Sequence, residues 1–184
     1  FYTEILPGFS TGDYHGLKVP MTLPANHSVP DLFNQLWPGP DGHTLSPAAA
    51  LGSKLVTLGL LGGVLALART SRDALGDACL FAAITVVMVI APVYTYEHHL
   101  SMLLLPAVVA FTALLRGRLS PRWWPVVVLS YFFVAWPLYW LRPTQKAIPA
   151  LHWWLQESKF FGELGLLIAC AWAARFKAPA EKPA

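Results

Sequence analysis

Charge is what this sequence has least of. Lys and Arg number 13 and Asp and Glu 10 among 184 residues, 12% in all against 55% hydrophobic, with mean hydropathy +0.49. That balance excludes an ordinary soluble domain and points to a membrane protein. Cysteine is nearly absent, and Cys79 and Cys170 each lie inside an apolar run, where they read as small core residues and not as a disulfide or metal pair. No basic run is interleaved with aromatics, so nucleic acid is not an expected partner, and no phosphate-loop or dinucleotide glycine pattern is present. No His-x-x-x-His or Cys-x-x-Cys accompanies the adjacent His98 and His99, so neither a metal nor a haem is expected and no cofactor is assigned. The chain opens Phe1-Tyr2-Thr3-Glu4 without an initiator Met, a basic n-region or a cleavage motif, and reads as part of something longer.

What is present is apolar run and turn. Residues 1–47 read as an extracytoplasmic loop, broken by Pro7, Gly8, Gly12, Gly16, Pro20 and Pro24 and again by Pro38-Gly39-Pro40-Asp41-Gly42. One short helix interrupts it. Ser28 and Asp31 form a capping pattern, Pro30 suits a first turn, and Val29, Leu32, Phe33, Leu36 and Trp37 share one face, so an amphipathic helix on the membrane interface is expected. Residues 48–184 read as a transmembrane helical bundle with spans at about 48–68, 75–93, 100–115, 123–141 and 160–175. A second interfacial helix is expected in the loop 142–159, opened by Pro149 and carrying Leu151, Trp154 and Leu155. The fold class is therefore all-α: a polytopic integral membrane bundle of about five transmembrane helices and two interfacial ones. Gly59-x-x-x-Gly63, and Gly165, Ala169 and Ala173 at four-residue steps, are candidate close-packing stripes.

Basic residues alternate between the links. Arg69 and Arg72, then Arg116, Arg118 and Arg122, then Arg175, Lys177 and Lys182 share one side, which the positive-inside rule makes cytoplasmic together with the C-terminus. All six histidines, His15, His27, His43, His98, His99 and His152, then face outward with Glu97, Asp31 and Glu157. Membrane lipids are the obligatory partners, and other membrane subunits are possible ones.

Between the second and third apolar runs stands Tyr94-Thr95-Tyr96-Glu97-His98-His99-Leu100, a turn that holds an acid and two imidazoles at the membrane edge. With Thr95 as the expected cap of the third span, Glu97 and His98 occupy a first helical turn whose free N–H groups favour an anion such as a phosphate. The plainer reading is an interfacial loop facing water, and both stay open. Arg142 and Lys146 can grip a phosphate or snorkel to lipid headgroups. Glu163, one turn into the last span, either exploits the positive end of its helix or faces a cavity, and Asp73 and Asp77 need no more than that dipole argument. Asn26-His27-Ser28 fits a glycosylation acceptor, although capping already accounts for Ser28.

Ala91-Pro92-Val93-Tyr94-Thr95-Tyr96-Glu97-His98-His99-Leu100, followed by an apolar run containing Pro106, resembles the Ser-Pro-x-Ser-Trp-(Asp/Glu)-His-His motif of glycosyltransferase family 87. These are polytopic GT-C-type enzymes, similar to bacterial polyprenyl-phosphate-mannose-dependent mannosyltransferases. Ala25-Asn26-His27-Ser28-Val29 resembles that family's Gly-Asn-Gln-Ser-Leu segment, in the same order and with a pair of spans between. The departures are His27 for Gln, Ala91 for the first Ser and Tyr96 for Trp, while Gln35 lies near where an arginine is common. The resemblance implies that the chain covers the C-terminal part of such an enzyme, in the bacterial cytoplasmic membrane with its site facing the periplasm. It implies inverting transfer of a sugar, mannose by analogy, from a polyprenyl-phosphate donor to an extracytoplasmic acceptor. The general base is then an upstream aspartate, leaving no catalytic residue in this chain, and donor phosphate binding falls to His98, His99, Glu97 and Arg142. The alternative is a noncatalytic structural subunit of a larger membrane complex.

Overall fold

Side-chain oxygens start the first three helices. In the computed structural model, which describes residues 13–14, 17–18, 26–70, 73–136 and 149–175, Ser28 accepts the Asp31 N–H at 3.1 Å and opens α1 (Val29–Leu36). Ser46 accepts the Ala49 N–H at 3.2 Å and opens α2 (Pro47–Ala68), and Asp73 accepts the Gly76 N–H at 2.8 Å and opens α3 (Ala74–Ile90). Each satisfies a donor that the first turn would leave orphaned. A 3₁₀ helix, Glu97–Leu103, runs into α4 (Leu104–Leu115), and a single 3₁₀ turn, Pro121–Trp123, leads into α5 (Trp124–Ala135). The last helix is α6 (Pro149–Ala174). Apart from a two-residue ladder pairing Asp13 with Lys18 and Tyr14 with Leu17, the described residues form helices and their connections, as an all-α class requires.

α6 is the hub, lying along α3 and α5 with α4 also against it. The contact surfaces are built from small residues: Ala82 and Ala83 on α3, Ala107 and Ala110 on α4, and Ala169, Cys170 and Ala173 on α6 are all buried. Small side chains let helix axes approach closely. The stripe expected from Gly165, Ala169 and Ala173 is part of this packing, since a Cβ added at Gly165 would lie 2.0 Å from Ser130 Oγ. Gly59 and Gly63 behave differently. A Cβ there would meet nothing within 4 Å, so among the described residues this pair seats no helix.

α2 stands largely outside the core. Only Ala49, Ser53 and Val64 of its residues are buried, while Leu51, Leu55, Leu58, Leu61 and Leu65 are exposed. Its 22 residues extend about 33 Å at ~1.5 Å per residue, enough for a hydrocarbon core of ~30 Å. Among the described residues it is the one helix both long and apolar enough to cross a membrane, with Ala74–Ile90 and His99–Leu115 apolar but shorter.

Three expectations about the helices need correction. The third run is not one α-helix from residue 100, because Glu97–Leu103 is 3₁₀ and α-geometry begins at Leu104. The fourth run is helical to Ala135 and turns extended at Trp136, while 137–148, including Arg142, Lys146 and the first part of the expected outer loop, lie outside the described residues. The interfacial helix opened by Pro149 is not separate, since it forms the first turns of α6. No Pro or Gly stands between Pro149 and Gly162 to stop it.

At the end of the bundle where α3 begins and α6 finishes, Gly117, with φ 67°, closes α4. Its N–H meets Leu114 O at 3.0 Å and the Arg118 N–H meets Ala113 O at 2.9 Å, the paired bonds of a Schellman stop. This aims Arg118 inward, where its guanidinium pairs with the Asp73 carboxylate and donates to Ala173 O at 3.2 Å. Asp73 is thus a cap and an ion-pair partner, more than the expected dipole effect.

Candidate functional site

The opposite end is organised by the bend that follows α3. Pro92 has no N–H to continue the helical ladder, and the chain beyond it is caught by the segment preceding α1. Asn26 Nδ2 donates to Val93 O at 3.0 Å and Ser28 Oγ donates to the same carbonyl at 2.9 Å. The Thr95 N–H donates to Asn26 Oδ1 at 2.9 Å, and the His27 N–H donates to Thr95 O at 2.9 Å. Asn26, His27, Ser28 and Thr95 are all buried. Two segments separated by more than sixty residues of chain are therefore joined backbone to backbone, and Ser28 serves both the clasp and the cap of α1.

Thr95 is not the helix cap expected of it. Its hydroxyl donates back to Val89 O, and Tyr96 occupies the N-cap position of the 3₁₀ helix. His99 completes that start, with Nδ1 accepting the Tyr96 N–H at 3.1 Å and its ring stacked on Tyr96 at 6.2 Å between centroids. In the neutral ring an accepting Nδ1 leaves the proton on Nε2, so the tautomer follows from this bond. Glu97 and His98 sit in the first turn of the 3₁₀ helix, and their side chains lie outside the described residues. Of the four expected phosphate-binding residues, the structure thus describes the side chain of His99.

Behind the clasp lies a group of buried ionisable residues supplied by α1 and α6. Gln35 Nε2 donates to Asp31 Oδ2 at 2.9 Å and to Glu157 Oε1 at 2.7 Å, one amide nitrogen serving two acids. The other oxygens, Asp31 Oδ1 and Glu157 Oε2, are buried without a hydrogen-bond partner among the described residues, as are both nitrogens of His27 and both oxygens of Glu163. Lys159 Nζ donates to Val134 O at 2.9 Å. Burial, and then the charge of Glu157, push Asp31 up to about 8 against the hydrogen bond from Gln35. Glu157 is raised for the same first cause. His27 is pushed down to about 3 by burial and by the nearby Lys159 charge. At neutral pH, Asp31 is therefore an uncharged acid and His27 an uncharged imidazole. Asp31, titrating close to neutrality, is suited to exchanging a proton.

The dipole explanation for Glu163 fails, because α6 starts at Pro149 and Glu163 lies far past its first turn, fully buried. In the sequence Asp31 reads only as a cap partner and an outward acid, Glu157 only as an outward acid and Gln35 only as a departure from a motif, while Asn34 and Lys159 are not singled out. Asp31, Asn34 and Gln35 stand at i, i+3 and i+4, a polar stripe beside the apolar face of α1, and Asp31 and Asn34 are the buried ones while Leu36 and Trp37 are exposed. That stripe, and the acids Glu157 and Glu163 with Lys159 inside a largely apolar helix, were the available signals. No protein-family model, no curated protein and no solved structure matches this chain.

Proposed function

We propose that the chain forms the donor-binding portion of a polytopic membrane glycosyltransferase, one that moves a sugar, mannose by resemblance, from a polyprenyl phosphate to an extracytoplasmic acceptor. The observation that carries this reading is the clasp. The two segments resembling the family's motifs, Ala25–Val29 and Ala91–Leu100, are far apart in sequence yet hydrogen-bonded to each other through Asn26, His27, Ser28, Val93 and Thr95. A clasp of this kind fixes the Glu97-His98-His99 turn relative to α1. Membrane placement is supported by the outward apolar residues, Leu51 to Leu65 on α2, Val108 and Leu115 on α4, Leu129 and Phe132 on α5, and Ile168 on α6, a patch far beyond what water-facing surfaces carry. In this reading α3, α4, α5 and α6 cross with α2, and the clasped end faces the periplasm of a bacterial cytoplasmic membrane.

The chemistry asked of this portion is leaving-group binding. As the acceptor hydroxyl attacks the anomeric carbon, the C–O bond to the lipid phosphate breaks and the electron pair leaves with the phosphate, whose charge is met by positioned donors. His98 and His99 Nε2 are the proposed donors, with Glu97 and Arg142 as further contacts, while a base outside these residues accepts the hydroxyl proton. The test is sugar transfer from a polyprenyl-phosphate sugar by the full-length protein in membranes. His98→Ala or His99→Ala is expected to cut transfer about 100-fold, the usual scale for losing one such donor. Unchanged transfer in both variants overturns the phosphate role, and no transfer by the wild-type protein favours a structural subunit.

A further inference from the structure

α1 meets its two neighbours in different ways. Its backbone lies closely along α2 and hardly along α6, and it reaches α6 through Gln35, whose Nε2 donates to Asp31 on its own helix and to Glu157 on α6. Two carboxyl oxygens, at 2.9 and 2.7 Å from one nitrogen, are thereby made near neighbours. Asp31 is 0% exposed and Glu157 1%, and among the described residues no cation pairs with either. Two like charges so placed do not persist together, because burial removes the water that would screen them. One proton between them removes the repulsion. It also turns an orphaned oxygen, Asp31 Oδ1 or Glu157 Oε2, from an acceptor into a donor.

The surroundings leave that proton without a substitute. Glu163, fully buried with both oxygens unpartnered, adds a third acid within the field of Glu157. Lys159 donates to Val134 O at 2.9 Å and acts on Glu163 and His27. Burial keeps His27 neutral, with both ring nitrogens unpartnered. On the bend, His99 is turned to the Tyr96 N–H. α2 has one charged side chain, Lys54, which is exposed, and Asp41 after α1 is taken up by His43 and Thr44. α3 and α5 carry no charged side chain at this end. Gln35 itself is only half-buried, so water reaches the edge of the pair.

We propose that a single proton held between Asp31 and Glu157 fastens α1 to α6, and that its release to water frees α1 together with the clasped turn. The movement passes to the turn because Asn26, His27 and Ser28, which grip Val93 and Thr95, lead directly into α1. The proton site stands whatever ligand the turn binds, and so does not rest on the glycosyltransferase reading.

The test places spin labels on the full-length protein in nanodiscs through Leu36→Cys on α1 and Trp154→Cys on α6, both exposed positions, with the buried Cys79 and Cys170 left in place. Double electron–electron resonance then reads the separation of the helices at about pH 6 and about pH 9, on either side of the Asp31 midpoint of about 8. One short distance is expected at the lower pH, and a longer one at the higher, with the change half complete near the midpoint. Asp31→Asn and Glu157→Gln, which cannot ionise, are each expected to hold the short distance at both. An unchanged distance in the otherwise wild-type chain overturns the proposal. So does a change in both neutral variants with the wild-type midpoint, which assigns the movement to another group. A long distance in those variants already at the lower pH, with the unfolding midpoint retained, overturns it too, because an uncharged pair then fails to join the helices.

Discussion

At one end of the bundle Arg118 is buried against the Asp73 carboxylate and Ala173 O, with its Nε alone unpartnered among the described residues; at the other, Asp31, Glu157 and Glu163 are as deeply buried, yet four of their carboxyl oxygens, Asp31 Oδ1, Glu157 Oε2 and both of Glu163, meet no partner among the described residues. The first end treats charge as structure, since Asp73 caps α3, Arg118 answers it, and the turn that presents Arg118 is set by Gly117. The second end keeps polar groups that the packing does not need. Buried polar atoms are ordinarily satisfied, and sites that break this rule are those where function sets the composition. The same asymmetry separates the clasp, in which Asn26 is used as donor and as acceptor, from the acids immediately behind it.

The sharpest break in that comparison is Asp73→Ala. It removes the cap of α3 and leaves the guanidinium of Arg118, whose side chain is 0% exposed, without its counter-charge. A loss of about 3 kcal/mol is expected, read as a lower unfolding midpoint in detergent. Asp73→Asn keeps the cap and loses the charge, so adding Arg118→Met to it should recover stability. If the double variant is no more stable than Asp73→Asn, the pair is not what holds this end. At the clasp, Asn26→Ala leaves the buried Thr95 N–H unanswered and removes one donor to Val93 O, for an expected loss of about 2 kcal/mol. Retained stability there would mean that Ser28 and the His27–Thr95 backbone bond suffice.

Helix ends were more legible in the sequence than the tertiary contacts of the clasped end. Asp73 before an apolar run, Gly117 after one and Ser28 three residues before Asp31 announce helix ends by local chemistry, and the structure uses each of them so. Thr95 misleads for the opposite reason. Cap preference is local, but the hydroxyl is taken by Val89 O and the N–H by Asn26, a tertiary choice that no window around Thr95 contains. α6 misleads because the segments expected as an interfacial helix and a separate span form one helix when nothing breaks the chain between them. The buried stripe of α1 was hidden by the apolar face beside it, which drew the helix toward the membrane surface although Asp31 and Asn34 turn inward. Its partners stand on α6, more than a hundred residues away.

The pH dependence of stability sharpens the comparison further, because it belongs to the clasped end. For Asp31 the ordinary 3.8 becomes about 8 in the folded chain. The folded state therefore holds a proton that the unfolded chain has released, and stability falls as pH rises through that window. Glu157, raised as well, acts in the same direction. For His27 the ordinary 6.5 becomes about 3, so the unfolded chain binds a proton that the folded one refuses, and stability rises with pH up to 6.5. The two effects oppose each other in acid. From pH 6.5 to about 8 the carboxyl effect stands alone, at about 1.4 kcal/mol per pH unit for each proton, or about 2 kcal/mol for Asp31 over the window. Thermal unfolding followed across that range should show the decline in the wild type and a shallower one in Asp31→Asn. An identical slope in both would return the titration to other groups.

The smallest stability effect separates structure from function at the turn itself. His99→Ala removes the acceptor for the Tyr96 N–H and the ring stacked on Tyr96, an expected loss of about 1 kcal/mol. His99→Asn can restore an acceptor to the start of the 3₁₀ helix, because its side-chain oxygen can receive the same N–H, but it cannot restore Nε2 at the reach of an imidazole. If His99 works as a donor to a leaving phosphate, the Asn variant regains most of the unfolding midpoint and still transfers sugar about 100-fold more slowly. If it regains both together, His99 is a cap and nothing further. The turn would then belong with the Asp73–Arg118 end, as polar chemistry used to hold a helix in place, and the phosphate would have to be met by His98 and Arg142.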